Sequence, residues 1–169
     1  MHLIETFTTS RLFAERLRFQ HLNELYRMHQ NTQVMATLGG VRSDEATRLF
    51  ILNNLNHWQQ YGFGLWVFRD KVNHQFVGRA GLRNTDVEGM SEIELAYALM
   101  TKFWGKGLAT EMGEKILKVS FEVLNLHEIV CFTLTTNKAS QRVMEKLGFQ
   151  YERDIIHANL PYLLYRLKV

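Results

Sequence analysis

Residues 103–111 read FWGKGLATE, with glycines at 105 and 107 and a small alanine at 109. Two of the chain's 11 glycines therefore stand on the doorstep of a helical pattern, although a helical Gly costs about 0.8–1.0 kcal/mol relative to Ala. A turn or a ligand has to justify them. Behind them, ATEMGEKILKVSFEVLN (109–125) continues a helical face of Leu108, Met112, Ile116, Val119 and Val123. Glu111–Lys115 and Glu114–Lys118 form i,i+4 pairs on its outside. Ahead of them, SEIELAYALM (91–100) is β-rich. Strand, glycine turn and helix start in this order make an anion receptor. The glycines admit a ligand to the backbone, the first helical turn offers unpaired N–H groups, and the helix dipole adds positive potential. Lys102 and Lys106 lie close by in sequence. A plain strand-to-helix connection uses the same residues. No GK[ST] ending follows, and no later acidic partner of a dinucleotide fold, so neither of those phosphate motifs applies.

Outward from this point, EIVCFTLT (128–135) reads as a buried strand, and a strand–helix–strand unit there predicts a parallel pair. Asn137 opens a helix that runs through Leu147 and closes at Gly148. FQYERDIIHA and YLLYRLKV supply two last strands. Upstream, GLWVFRD, QFVGRAGL and SEIELAYALM are strands parted by the turn clusters DKVNH and NTDVEGM, an antiparallel meander. TSRLFAERL is a first strand and HLNELYRMHQ a short helix. Ser43 caps a second helix, in which Leu49, Leu52, Leu55 and Trp58 recur every third residue up to Gly62. The predicted order is β-αα-βββ-α-β-α-ββ: a mixed, mostly antiparallel α/β sheet with helices on both faces.

Residues 1–169 show no linker, repeat or low-complexity stretch, and 46% apolar content suits one domain. Twenty Lys and Arg against 17 Asp and Glu leave +3, scattered along the chain. That permits an anionic ligand without indicating nucleic acid. The N-terminus MHLIETFTTSRL lacks a signal-like apolar core, and no apolar run reaches the roughly 18 residues of a membrane span. The expected location is cytoplasmic, with no membrane partner. The single Cys131 excludes an internal disulfide and, within EIVCFTL, reads as a core residue. The seven histidines show no metal-ligand spacing, His57 and His127 read as structural, and no metal is expected.

The run ELAYALMTKFWGKGLATEM resembles the acetyl-CoA-binding motif of the GNAT N-acetyltransferases, and most closely the RimJ/RimL-like branch. The family signature [Q/R]-x-x-G-x-[G/A] is matched by Trp104, Gly107 and Ala109, with Trp at the first position as in that branch. NKASQRVMEKLGF (137–149) resembles the family's N-x-x-S-x-x-x-x-E-K-x-G-F, and TSRLFAERL, HWQQYGFGLWVF and FVGRAGL agree as well.

The resemblance implies one GNAT domain over 1–169 and an acetyl-CoA-dependent N-acetyltransferase, monomeric or homodimeric. Transfer to a primary amine would be direct, within a ternary complex. The acceptor is a protein N-terminus or a small amine; the alternative is a CoA-binding module without turnover. Backbone N–H groups of Gly105, Lys106, Gly107, Leu108, Ala109 and Thr110 would hold the pyrophosphate. The preceding strand would splay from its parallel neighbour, often around a bulge, with Leu99 and Met100 pairing with the pantetheine arm and Asn137 bonding it from the other side. Glu94 matches the acidic position of the branch and is the candidate base or amine-orienting group. Glu92, two residues away on the same strand face, is the second candidate. Met144 stands where many relatives carry a tyrosine acid, so Ser140, one turn earlier, is the candidate thiolate stabiliser. Arg142 and Lys146 read as surface charges and Glu145 as externally paired. The acceptor would enter around Met35–Val41 and His157–Tyr162.

Overall fold

A computed structural model describes residues 4–169 of the chain. Its strands are β1 (Thr6–Thr8), β2 (Leu12–Arg16), β3 (Leu65–Asp70), β4 (Phe76–Val87), β5 (Met90–Leu99), β6 (Glu128–Leu134), β7 (Gln150–His157) and β8 (Leu160–Lys168). The helices are α1 (Leu22–Gln30), α2 (Thr32–Met35), α3 (Asp44–Tyr61), α4 (Leu108–Glu122) and α5 (Lys138–Lys146). All eight strands join one sheet in the order β1-β2-β3-β4-β5-β6-β8-β7. Its pairs are antiparallel except β5 with β6, which are parallel and connected through α4 as expected.

Strand alternation builds two cores, one on each side of the sheet. Trp66 and Phe68 of β3, with Leu95 and Leu99 of β5, pack with Met112 and Ile116 of α4 and Met144 of α5. Leu65, Val67 and Ala98 point the other way, to Leu25 and Met28 of α1 and Ile51 of α3. A ligand on the α4/α5 side is thus separated by the sheet from one on the α1/α3 side, unless the sheet opens.

It opens between β5 and β6. These strands meet in register at one pair, Glu94↔Val130, while β4 and β5 stay paired without interruption from Val87↔Met90 to Gly78↔Leu99. The splay therefore needs no bulge in β5.

Three local expectations are corrected. The buried face of α3 is Thr47, Ile51, Asn54 and Trp58, whereas Leu49 and Leu52 are 56% and 42% exposed. A repeat of three falls back by about 60° per step on a 3.6-residue helix, so Leu49 ends up opposite Trp58. The turn cluster NTDVEGM is mostly strand: β4 runs to Val87, and the turn is Glu88–Gly89, with φ of 51° and 84°. Two residues at positive φ match the twist of a tight hairpin, so the polar Asn84–Asp86 segment stays in the ladder. Finally, β1 and α2 are additional elements, of 3 and 4 residues, too short for periodicity to reveal. Asn31 nucleates α2 by accepting from the N–H groups of Gln33 and Val34, each at 3.0 Å.

Candidate active site

A cavity of about 820 Å³ occupies the opening between β5 and β6. At one end lies the glycine loop. Gly107 caps α4 with φ 75°, and Gly105 has φ 72°. Both values lie in the left-handed region, where a side chain costs about 1–2 kcal/mol. A Cβ on Gly105 would meet nothing within 4 Å, and one on Gly107 only Arg11 Nη2 at 3.7 Å. The loop is therefore an open cradle. The first helical bond of α4 runs from Glu111 N–H to the Gly107 carbonyl at 3.1 Å, so the N–H groups of Leu108, Ala109 and Thr110 precede any intrahelical partner. These three residues and both glycines line the cavity. Lys106 does not: its ammonium sits 5.8 Å from the Phe103 ring, and its carbonyl accepts from Arg11 Nη1 at 3.0 Å.

Arg11 also donates Nε to Glu111 at 2.8 Å and its backbone N–H at 2.9 Å, while Thr9 donates its hydroxyl to the same carboxylate. Glu111 thus ties the segment before β2 to the first turn of α4 instead of pairing along the helix with Lys115.

The wall of the opening is β5. Met100 donates its N–H to Val77 at 2.9 Å. Antiparallel alternation then turns the peptide groups of Leu99 and Tyr97 the other way, into the gap. The Leu99 carbonyl accepts the Trp104 indole N–H at 2.8 Å. Met100 is consequently excluded from pairing through its N–H with a bound arm and does not line the cavity; Tyr97 takes its place beside Leu99.

On the α5 side, Asn137 caps the helix by accepting the Ser140 N–H at 3.2 Å, and it also borders the cavity. The Ser140 hydroxyl lies 2.6 Å from the Tyr97 hydroxyl. Tyr97 also reaches the Ser140 carbonyl at 3.3 Å, so the O–H left for a ligand is that of Ser140, when Tyr97 donates to its hydroxyl. Burial, and then Cys131, hold the Tyr97 phenol well above its ordinary pKa, so it keeps its proton at neutral pH. Met144 is wholly buried in the core. Cys131 is buried and donates its thiol to the Leu95 carbonyl at 3.4 Å; burial raises its pKa, so a thiolate nucleophile is not formed there. Arg142 and Lys146, expected as plain surface charges, border the cavity from exposed positions on α5.

On the opposite face, Glu94 is 3% exposed and accepts from Arg83 Nε at 2.7 Å. It is the sole carboxylate among the residues lining the cavity. Glu92 shares its strand face but accepts both terminal nitrogens of Arg166 at 2.9 Å, outside the cavity. Arg166 also engages Glu152 at 2.8 Å, so Glu92 belongs to an ion-pair network that joins β5, β7 and β8. Of the segments expected to admit the acceptor, Thr37, Leu38 and Gly39, with Gln33, line the cavity on one side and His157 and Tyr162 on the other, while Met35 is wholly buried.

Residues 11–150 match a family model described as an acetyltransferase (GNAT) domain. The chain belongs to the GNAT acetyltransferase family. It is similar to YkkB of Bacillus subtilis, 28% identical over 141 residues that cover 83% of this chain and 82% of that one. A GNAT-family acetyltransferase structure from Bordetella pertussis superposes with TM-score 0.86 and 21% identity, over 96% of this chain and 99% of that one. RimL, a ribosomal L7/L12 α-N-protein acetyltransferase solved in complex with coenzyme A, gives TM-score 0.80 and 17% identity, over 98% of each chain. The GNAT family uses acetyl-CoA. Among the described residues no cluster of three or more metal-ligating side chains exists, and no helix is long and apolar enough to cross a membrane.

Two features of this GNAT domain are not evident in the sequence. Strand alternation puts Tyr97 on the face opposite Glu94, but its pairing with Ser140 depends on the fold. The second is a group of arginines, Arg42, Arg79 and Arg83, that lines the cavity with Glu94. Its only sequence trace is an Arg inside the apolar run QFVGRAGL, four residues before Arg83 and hence on the same strand face. Arg79 is 4% exposed, and its guanidinium lies 4.6 Å from the Phe50 ring, beside which Arg42 stacks at 5.1 Å. Burial, then Arg42 and Arg83, pull the Arg79 pKa down to about 9, so it remains charged at neutral pH.

His29 is wholly buried next to this group. Its Nδ1 meets the Thr47 hydroxyl at 2.9 Å, and its Nε2 faces Arg79 Nη2 at 3.4 Å. A guanidinium only donates, so Nε2 is unprotonated and the ring is neutral. Burial, then Arg79 and Arg42, lower the His29 pKa from 6.5 to about 3. The unfolded chain therefore binds this proton first, and the associated stability is present above pH 6.5 and lost as pH falls toward 3. Between neutrality and about pH 5 the expected loss is about 2 kcal/mol. Urea midpoints should show it for the wild type and show a flatter dependence for His29→Gln; equal slopes would contradict the assignment.

Proposed function

We propose that the chain is an acetyl-CoA-dependent N-acetyltransferase of the RimJ/RimL-like branch that acylates a primary amine directly. The observation that carries this reading is the placement of three functions around one gap. The glycine cradle and the Tyr97–Ser140 hydroxyls are on the α4/α5 face, Glu94 is on the α1/α3 face, and β5 and β6 part between them. The N–H groups around Gly105–Thr110 suit a pyrophosphate, whereas the Lys106 side chain adds only distant charge. Leu99, Tyr97 and Asn137 border the path of the pantetheine arm, and Arg142 and Lys146 offer positive charge at its rim.

In the step itself, the amine nitrogen attacks the thioester carbonyl, a C–N bond forms, the C–S bond breaks and the thiolate leaves. A proton is lost from the attacking nitrogen and one is gained by sulfur. The Tyr97–Ser140 pair donates a hydrogen bond to the developing thiolate, which needs no acid of unusual pKa. Glu94 orients the amine or draws its proton through water. An α-amine, with a reference pKa of about 7.7–8.0, is roughly a tenth free at neutral pH, so a weak base suffices for it.

Thiol release from acetyl-CoA against a panel of small amines and N-terminal peptides tests the reading. Tight acetyl-CoA binding with no release on any member would replace it with a non-catalytic CoA-binding module. Within the mechanism, Tyr97→Phe should lower kcat at least about tenfold while leaving acetyl-CoA affinity within twofold. A parallel loss of affinity would make Tyr97 a packing residue instead.

A further inference from the structure

The acceptor half of the cavity carries more positive charge than it neutralises. Arg42, Arg79 and Arg83 line it together, and Glu94 is the one carboxylate among the lining residues. Glu94 is engaged by Arg83 Nε at 2.7 Å, which leaves Arg42 and Arg79 without an anion in the cavity wall. Arg79 is the decisive member. Its side chain is almost wholly buried, its one side-chain hydrogen-bond contact among the described residues is with the neutral His29 ring at 3.4 Å, and its Nε has no partner. A buried guanidinium N–H left unpaired costs free energy, and stacking on Phe50 does not replace a hydrogen-bond acceptor. Arg79 nevertheless lines the cavity, so its guanidinium faces whatever enters that space.

The coenzyme's phosphates are not that group. Arg79 and Arg83 stand opposite Ala98 and Glu94 in the β4–β5 ladder, so their side chains share the α1/α3 face with those residues. The glycine cradle opens α4, which packs on the other face. The arginines therefore meet whatever comes through the acceptor mouth.

We infer that the amine acceptor is a small molecule with an anionic oxyacid group, a carboxylate or phosphate, near its amine, and that Arg42 and Arg79 bind that group. The inference rests on the acetyltransferase reading and narrows its substrate class. Guanidinium forks match either oxyanion through paired N–H donors. The same charges repel a polyamine, whose second ammonium would sit among three guanidiniums.

Matched acceptors provide the test: L-amino acids against their carboxamides, phosphoethanolamine against ethanolamine, plus spermidine and a capped peptide with a free α-amine and no acidic residue. Removing the carboxylate lowers the amine pKa and increases the free base, so intrinsic reactivity favours the amides. The expected result is a kcat/KM for the best acid or phosphate at least tenfold above its neutral partner, with spermidine and the capped peptide poorer still. Arg42→Gln should shrink that ratio several-fold while leaving acetyl-CoA affinity within twofold. If the neutral partners, spermidine or the peptide match the anions, the inference is overturned. The phosphate and carboxylate pairs show which oxyanion is preferred. A second measurement avoids turnover: calorimetric titration of the CoA-loaded protein with N-acetyl amino acids and with their amides. Preferential binding of the acids without any thiol release would sustain the anion site and defeat the acetyltransferase reading. Equal binding of acids and amides defeats the anion site, whatever the kinetics.

Discussion

Gly107→Glu should raise the Kd for acetyl-CoA at least about a hundredfold, which corresponds to roughly 2.7 kcal/mol. Two effects combine. Gly107 holds φ 75°, so any side chain there strains the backbone by about 1–2 kcal/mol and lowers the melting temperature even without ligand. The charge acts on binding itself. A carboxylate at the cap of α4 occupies the dipole and the N–H groups that a pyrophosphate needs, and repels its charge. Arg11 Nη2 lies 3.7 Å from where the new Cβ would be, so the glutamate also competes for the arginine that braces the Lys106 carbonyl. Calorimetric titration of the variant, with circular dichroism to verify the fold, provides the check. A Kd within threefold of wild type would remove this loop as the pyrophosphate site.

The second large effect is expected at Glu94. Replacement by Gln preserves volume and an oxygen to accept from Arg83, but removes the lone carboxylate of the cavity. General-base or amine-orienting assistance is worth about 10²–10⁴, so kcat/KM at neutral pH should fall about a hundredfold, with acetyl-CoA affinity retained. The deficit should narrow as pH rises through the amine's own pKa, because free amine then forms without help. A neutral-pH rate equal to wild type would exclude Glu94 from the chemistry. A deficit independent of pH would assign it to holding Arg83.

The parts of this molecule that were legible in the sequence are those written in short-range patterns. The glycine pair before α4, the Asn137 cap and the strand periods each follow from the local needs of a turn, a helix end or a pleat. The parallel β5–β6 junction followed from one crossover, and the two cores from alternation. Contacts between distant segments were not legible. Nothing near Glu111 in sequence announces that Thr9 and Arg11 will take its carboxylate from Lys115. Nothing within SEIELAY separates Glu92 from Glu94; the difference is that Arg166 of β8 reaches one and Arg83 of β4 the other. Arg42 joins Arg79 and Arg83 only because α1 anchors its backbone, through the His29 carbonyl at 2.9 Å. The helix α3 failed for a different reason: leucines at every third position imitate a stripe but spiral around the axis, and the true stripe includes Thr47 and Asn54, which hydropathy discounts.

The parting of β5 from β6 bears on how this protein tolerates mutation. Beyond Glu94↔Val130 the main-chain groups along the divide have no partner strand, and the Leu95 and Leu99 carbonyls take side-chain donors, Cys131 and Trp104, instead. On the reading proposed above, an amide-bearing arm laid there would take the place of one more strand. Part of the grip on such a guest then resides in atoms common to every residue, out of reach of side-chain replacement, so natural drift at Leu99 or Tyr97 can retune the reaction while the handhold persists.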